Sequence, residues 1–327
     1  MKPSETFTLL VTGFLGFCPV IHAAAYTFTT VDVPVAGAQD TYAWGINDSG
    51  QIAGFYTEPG SAICGLSCNH GFLDSGGVFT SIDAPFTSPG LTQAYGINSS
   101  GQIVGGYYSP TTGAHGFLDD GGIFIPIAAQ LAGAVAYGIN ARGQIVGGYA
   151  GAGREYGFLD NNEIYSTIDV PSGGVFSEAF GINDAGQIVG VYQGPAGSHG
   201  FLDNGGLFST IDVPFAGCGN TEPTGINNEG QIVGIYSGCP GGPYGFLDSG
   251  GVFSTISVPF AGATGTEAFG INDRGQVVGL FFDSTGGRHG FLATPIPEPT
   301  TLLLLTTGLA GIVILIWRKR IPKHSAL

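Results

Sequence analysis

Gly181-Ile-Asn-Asp-Ala-Gly-Gln-Ile-Val-Gly190 is the stretch that decides the fold, because the chain writes it six times. A Gly-Ile-Asn triplet, a short turn and then Gly-Gln-(Ile/Val)-(Val/Ala)-Gly recur, with triplets opening at Gly45, Gly96, Gly138, Gly181, Gly225 and Gly270, at intervals of 51, 42, 43, 44 and 45 residues. A period of that size is one supersecondary unit copied along the chain, and such a unit buries its apolar face only against its neighbours.

Around the quoted stretch the fourth unit offers four short apolar runs, Glu178–Asn183, Gln187–Tyr192, His199–Asp203 and Leu207–Pro214. Runs of this length, rich in Val, Ile, Thr, Phe and Tyr and bounded by Asn, Asp and Gly, are strands. The turns Asn183 to Gly186 and Asp203 to Gly206 suit tight hairpins, where Asn and Asp bond their own backbone and Gly accepts positive φ. Each unit therefore reads as a four-stranded antiparallel meander.

The two ends choose between an open stack and a ring. The last unit supplies Glu267–Asn272, Gln276–Phe282 and His289–Ala293 and then lacks a fourth strand, while Tyr26–Pro34, ahead of the first triplet, repeats the fourth-strand text of Leu207–Pro214. Docking the leading strand beside the final three completes a sixth sheet and removes the unpaired ends. The expected fold is all-β, a six-bladed β-propeller of four-stranded antiparallel blades closed by the N-terminal strand. The aromatics that precede most triplets (Trp44, Tyr95, Tyr137, Phe180, Phe269, with Thr224 departing) are expected to pack between blades.

Outside the array lie targeting segments. Residues 1–25 carry Lys2, an apolar stretch from Phe7 to Ile21 and Ala23-Ala24-Ala25, the order of a signal peptide. Residues 26–294 hold the six repeats. In residues 295–327, Pro297-Glu298-Pro299 precedes an uncharged run from Thr300 to Trp317 and then Arg318-Lys319-Arg320. Eighteen helical residues reach about 27 Å, close to the hydrocarbon thickness, and the basic cluster holds the C-terminus on the cytoplasmic side, so a transmembrane helix is expected over 300–317.

This tail resembles the PEP-CTERM sorting signal of Gram-negative bacteria. The resemblance implies recognition and cleavage by an exosortase-type membrane protease, and export across the inner membrane to the cell surface or beyond. The repeat text, with His-Gly-Phe-Leu following Gly-Gln-Ile-Val-Gly, is similar to the HAF family of extracellular repeats over about residues 26–293. That likeness implies an extracellular address more than an activity.

Charge agrees with export. Four arginines (Arg142, Arg154, Arg274, Arg288) stand between the targeting segments against the 24 acidic residues of the whole chain less Glu5 and Glu298, a net of about −18. Such a surface repels nucleic acid, and the compatible partners are neutral glycan, a basic partner or cation-bridged matrix. In an exported chain, Cys64 with Cys68 and Cys218 with Cys239 are candidate disulfide pairs.

No metal or cofactor is expected. His70, His115, His199 and His289 open the same strand in four units, but Tyr156 and Tyr244 stand in that register in two others, which favours a structural hydrogen-bonding role over metal ligation. Asn47, Asn98, Asn140, Asn183, Asn227 and Asn272 close the triplets and are expected to cap the hairpin turns. Asp48, Asp184 and Asp273 give way to Ser99, Ala141 and Asn228 elsewhere, and the fourth-strand Asp32, Asp83, Asp169 and Asp212 give way to Ser257 and Ala128, so neither set forms a complete ring. No nucleophile elbow, zinc-protease helix or phosphate loop occurs, and no catalytic residues are assigned. Departures from the repeat, at Thr57–Asn69, Gln130–Val135 and Arg154-Glu155, are where function would be grafted on a rigid ring. The expectation is a non-enzymatic surface or matrix protein associated with exopolysaccharide or biofilm. A glycan-binding propeller lectin is the alternative, and a propeller hydrolase or lyase stands behind it.

Overall fold

The computed structural model describes residues 26–296, apart from 61–66, 88–89, 152, 172–175, 195–196, 216–218 and 239–241. Six separate four-stranded antiparallel sheets are arranged as blades around a central channel, and the described residues contain strands and turns but no helix. In five blades the four strands follow one another in sequence order. The sixth is built from Gly265–Ile271, Val277–Phe282 and Arg288–Pro295, with the N-terminal strand Tyr26–Val31 added at the outside. The leading strand pairs antiparallel from Tyr26 opposite Pro295 to Val31 opposite Gly290, so the ring is closed by main-chain hydrogen bonds between the two ends of the described chain.

Blade four shows how the repeat text builds a sheet. Its strands are Ser177–Ile182, Gln187–Gly194, Gly197–Asn204 and Phe208–Ile211. Compared with the sequence reading, the third strand begins two residues earlier, where Gly194 pairs with Gly197, and the outermost strand ends at Ile211 rather than Pro214. The reason is that the Asp-Val-Pro ending crosses to the next blade: the Val213 N–H donates to Thr221 Oγ1 (3.1 Å) on the innermost strand of blade five. Val33 to Thr41, Ala84 to Thr92 and Val258 to Thr266 repeat this contact at other junctions.

The glycine that ends each quoted stretch is required by packing. Phe72, Phe117, Phe158, Phe201, Phe246 and Phe291, at the middle of each third strand, are all fully buried. A Cβ on Gly190 would lie 2.8 Å from the Phe201 ring and collide with the Glu178 carbonyl, and the other five blades repeat this fit. Burying a whole Phe side chain contributes about 1.5–3 kcal/mol, so this ring-on-glycine contact is a main source of blade cohesion. Val, Ile and Ala from one blade's second and innermost strands fill the space against the next blade, giving six equivalent core clusters around the ring.

Two faces result. One carries only tight turns, the Asn-x-x-Gly hairpins near the axis and, farther out, Asp-x-Gly-Gly hairpins that blade three writes as Asp160-Asn161-Asn162-Glu163. In the latter the Asp carboxylate accepts the backbone N–H three residues on, as from Asp203 to Gly206 at 2.6 Å. The other face carries the longer and more varied connections. Blade six has Ala293 where Asp74, Asp119, Asp160, Asp203 and Asp248 cap the outer turn, because no turn follows it.

Candidate functional site in the axial channel

The channel is lined by the six innermost strands, and their closest approach is at the triplet glycines. A Cβ on Gly96 would sit 2.8 Å from the Tyr137 carbonyl oxygen, and one on Gly270 would sit 2.6 Å from that of Trp44. Only glycine allows the strands to meet this closely.

On the turn side of this waist, the six triplet asparagines form a closed belt. Asn47 Nδ2 donates to the Asn98 carbonyl (3.1 Å), Asn98 to Asn140 (3.2 Å), Asn140 to Asn183 (3.0 Å), Asn183 to Asn227 (3.1 Å), Asn227 to Asn272 (3.0 Å), and Asn272 back to Asn47 (3.0 Å). Each amide oxygen also holds its own turn, as Asn47 Oδ1 does by accepting the N–H of Ser49 and of Gln51. All six are buried. Outside the belt, Asp48, Asp184, Asn228 and Asp273 tie neighbouring turns together: Asn228 Nδ2 donates to Asp184 Oδ2 (3.0 Å) and Asp273 Oδ2 (2.8 Å), and Asp48 Oδ1 accepts the Asp273 N–H (2.9 Å). The polar groups of this end are thus satisfied within the ring, around a small axial cavity of about 90 Å³ lined by the triplet Ile-Asn pairs and the residues that follow them.

On the other side of the waist, each innermost strand bulges at the residue before its glycine, between Ala43 and Gly45 in blade one and at the same place in the other five. A bulge re-aims one side chain, and here it turns the aromatic toward the axis. Trp44 stacks on Phe269 (centroids 4.2 Å apart) and meets Tyr95 edge-on (4.9 Å), and Tyr95–Tyr137 and Tyr137–Phe180 continue the ring at 5.2 and 5.1 Å. Blade five breaks it with Thr224, whose hydroxyl donates to the Ala268 carbonyl (2.9 Å). The aromatics thus pack between blades, as a floor across the channel.

Above this floor the sixfold repetition fails. Three residues ahead of each glycine stand Tyr42, Gln93, Val135, Glu178, Glu222 and Glu267, so blades four, five and six present three adjacent half-buried glutamates. Burial raises the carboxyl of Glu178 to about 7, and the charges of Glu155 and Glu222 add to it. Glu267 is likewise raised to about 7 by burial and by Glu222, although Arg288 pulls it down, and Glu222 is raised by burial. The Tyr95 and Tyr137 hydroxyls are pushed up by burial and by Glu178, so both remain protonated donors. Tyr95 donates to Gln93 Oε1 (2.9 Å). Opposite the glutamates, Gly106 replaces a large second-strand residue, and a cleft of about 170 Å³ opens among Gln93, Gly106, Tyr107 and Val135. Arg288 lies over the rings of Tyr42 and Phe282 (5.9 and 5.5 Å) and meets Asp40 at 3.5 Å.

The funnel therefore has an aromatic floor, a carboxylate wall on one side and an uncharged cleft on the other. Such an arrangement can hold a cation or an amine against carboxylates and rings. Among the described residues no group of three or more His, Cys, Asp or Glu is placed to hold a metal ion.

The histidines lie away from the channel. His70 Nδ1 faces Asp83 (3.0 Å), His199 faces Asp212 (3.0 Å) and His289 faces Asp32 (3.1 Å), each joining the third and outermost strands of one blade. Where Ala128 replaces that aspartate, His115 turns to Thr112 (2.7 Å) instead. All six occupants of the register, including Tyr156 and Tyr244, stack on an aromatic of the second strand. Asp169 pairs with Arg154 in blade three. Cys68 is disulfide-bonded. Cys64, Cys218 and Cys239, residues 1–25 where a signal peptide is expected, and Pro297, Glu298, Pro299, Arg318, Lys319 and Arg320 lie outside the described residues.

Sequence reasoning missed the funnel, the closed belt and the histidine–aspartate pairs. The pairs did leave a signal: in the third and fourth strands of one blade, His and Asp occur together in blades one, four and six.

No curated protein matches this sequence. Among solved structures the chain is similar to a lectin from Aleuria aurantia (11% identity, TM-score 0.51, covering 81% of this chain and 98% of the lectin). It is also similar to TolB from Acinetobacter baumannii (12%, 0.53, covering 75% of this chain and 64% of TolB). A third likeness is to a sialidase from Trypanosoma rangeli (8%, 0.51, covering 91% of this chain and 62% of the sialidase). At these identities the likeness shows the propeller fold alone. Residues 295–320 match the PEP-CTERM protein-sorting motif, a signal processed by exosortase, and the chain is therefore an exported protein of the Gram-negative cell envelope.

Proposed function

We propose that the mature protein is a non-enzymatic interaction protein of the cell surface or extracellular matrix, associated with exopolysaccharide, and that its axial funnel holds an amine-bearing segment of that polymer. The observation that carries this reading is the funnel ring of Tyr42, Gln93, Val135, Glu178, Glu222 and Glu267, the inner ring at which repetition gives way to a one-sided set of carboxylates. A rigid ring keeps its structural residues and varies those that meet a ligand. The net charge of about −18 between the targeting segments draws cationic chains toward the surface. Resemblance of the repeats to the HAF type supports the extracellular setting.

Six equivalent lectin sites at the blade junctions fit less well, because the six junctions are not alike at the funnel. A propeller hydrolase or lyase is the second reading, favoured by two carboxyls held near 7 beside tyrosine donors.

Titration calorimetry with a glucosamine oligomer and its N-acetylated counterpart tests the proposal. We expect one site per chain that takes the free amine, with binding weakened about tenfold for each of Glu178→Gln, Glu222→Gln and Glu267→Gln. Equal affinity for the acetylated oligomer, or no effect of the three substitutions, overturns it. Shortening of the oligomer during the titration transfers the funnel to the hydrolase or lyase reading.

A further inference from the structure

Where the described chain ends has a consequence for how the precursor sits in the membrane. The last strand, Arg288–Pro295, runs toward the tight-turn face and ends there: Pro295 Cγ lies 3.3 Å from where a Cβ on Gly275 would stand, in the inner hairpin turn of blade six. Ile296 follows, exposed. From Pro295 to Thr300, where the uncharged run begins, there are five residue steps, which reach at most about 17 Å when fully extended. A chain anchored by that run holds the turn face next to the bilayer and the funnel face away from it.

The turn face is built for such a contact at its rim. Val78, Ile123, Ile164, Leu207 and Val252 occupy one register, the first residue after the outer turn in blades one to five, and are between 40% and 76% exposed. In blade six the same register falls on Thr27, beside the departing tail. Aliphatic side chains at this exposure in five of six blades form an apolar circle at one height, which no neighbouring element covers. The aspartates of the same outer turns are buried and bonded to backbone N–H groups. Exposed Asp120, Glu163, Asp273 and Glu229 outnumber Arg142 and Arg274 on this face, so the lipid that suits it is zwitterionic rather than anionic.

We propose that, before processing, the propeller rests on the bilayer through this aliphatic rim, with its funnel directed away from the membrane. The proposal rests on the anchor reading of residues 300–317, and one set of samples separates the two. Full-length precursor is reconstituted in phosphatidylcholine vesicles containing brominated phosphatidylcholine. In the unaltered chain, quenching of Trp317, which ends the uncharged run beside Arg318, by bromines at the shallow end of the acyl chains reports the anchor, and its absence refutes the anchor itself. With Trp317→Phe as background, whose remaining Trp44 in the channel floor gives a constant emission that is subtracted, Leu207→Trp and Ile123→Trp report the rim and Thr111→Trp the opposite face.

The expected result is loss of roughly half the emission at Leu207→Trp and Ile123→Trp with bromines near the headgroup, and little change at Thr111→Trp. Replacing a third of the lipid by phosphatidylglycerol is expected to weaken the rim signal. Equal quenching of both faces, or none at the rim while Trp317 is quenched, overturns the orientation. A twelve-residue Gly-Ser insertion between Ile296 and Pro297 should abolish the rim signal if the short tether imposes the contact, and an unchanged signal would overturn that part of the argument.

Discussion

The two ends of the channel are made by the same six strands and have opposite characters. At the turn end every blade contributes the same asparagine, and each amide bonds its own turn and the next blade's carbonyl, so the belt closes without remainder. At the open end, five residues along the same strands, the blades contribute Tyr42, Gln93, Val135, Glu178, Glu222 and Glu267, and the carboxylates of the three glutamates make no hydrogen bond to other described residues. The first end satisfies its polar groups internally and is expected to be rigid. The second keeps carboxylates half-buried at a cost, and groups kept at a cost are the ones a ligand can use. Identity among repeats thus marks what the ring needs to close, and departure marks what it offers.

The largest expected effect comes from breaking the closure on which both ends depend. Deleting Tyr26–Val31 leaves Arg288–Pro295 as an unpaired edge and removes Phe28 from Phe291 (6.0 Å). The melting temperature should fall by more than about 15 °C, or the chain should aggregate. A transition within a few degrees of the parent would mean that the ring does not need this strand.

Breaking the belt alone is the next step down. Asn183→Ala removes the bond to the Asn227 carbonyl and the bond to the Gln187 N–H, both at a buried position. It should cost roughly 2–4 kcal/mol by denaturant titration, while amine binding at the funnel stays within about twofold of the parent if the two ends are independent. A loss of binding comparable with that of Glu178→Gln would show that they are coupled.

The smallest effect sharpens the contrast at the open end. Glu178 is raised to about 7 in the folded chain, against an ordinary 4.5. Between these values the folded state binds more protons than the unfolded one, so stability is greatest below about pH 4.5 for this group and is lost as pH rises through 7. At pH 8, Glu178→Gln should therefore stabilise by roughly 1–2 kcal/mol after solvent screening, or about 3–6 °C, and should gain nothing at pH 4.5. Destabilisation at pH 8 would mean that the carboxylate has a favourable partner.

Much of the architecture was legible because the repeat states it. Triplet spacing gave the number of blades, and the orphan strand at Tyr26 matched the vacancy after Ala293. Ala293 itself carried a further sign, since its blade lacks the turn that an aspartate would cap. The belt was half legible: the turn bonds of Asn47 are local, within four residues, whereas its bond to Asn98 spans 51 residues and appears only when two units stand side by side. The funnel was hidden for the opposite reason. Comparing units rewards what they share, and Glu178, Glu222 and Glu267 share their column with Tyr42, Gln93 and Val135, so the column looked like noise. His199 and Asp212 were visible in separate columns, and it takes the pairing of the third and outermost strands to bring them together.

The glycine waist also acts as a counter. A Cβ on Gly45 would lie 3.3 Å from the Gly96 Cα, and the same tight fit returns at Gly270 against Gly45, so the six backbones touch all the way round and set the circumference by their own thickness. A seventh unit, gained by in-frame duplication, would push those backbones apart, stretch every amide of the belt and leave the aromatic floor with a hole. The genes for such proteins are prone to unequal recombination because their units are alike, yet the waist admits one copy number, and variants with more or fewer units should be removed at the level of folding.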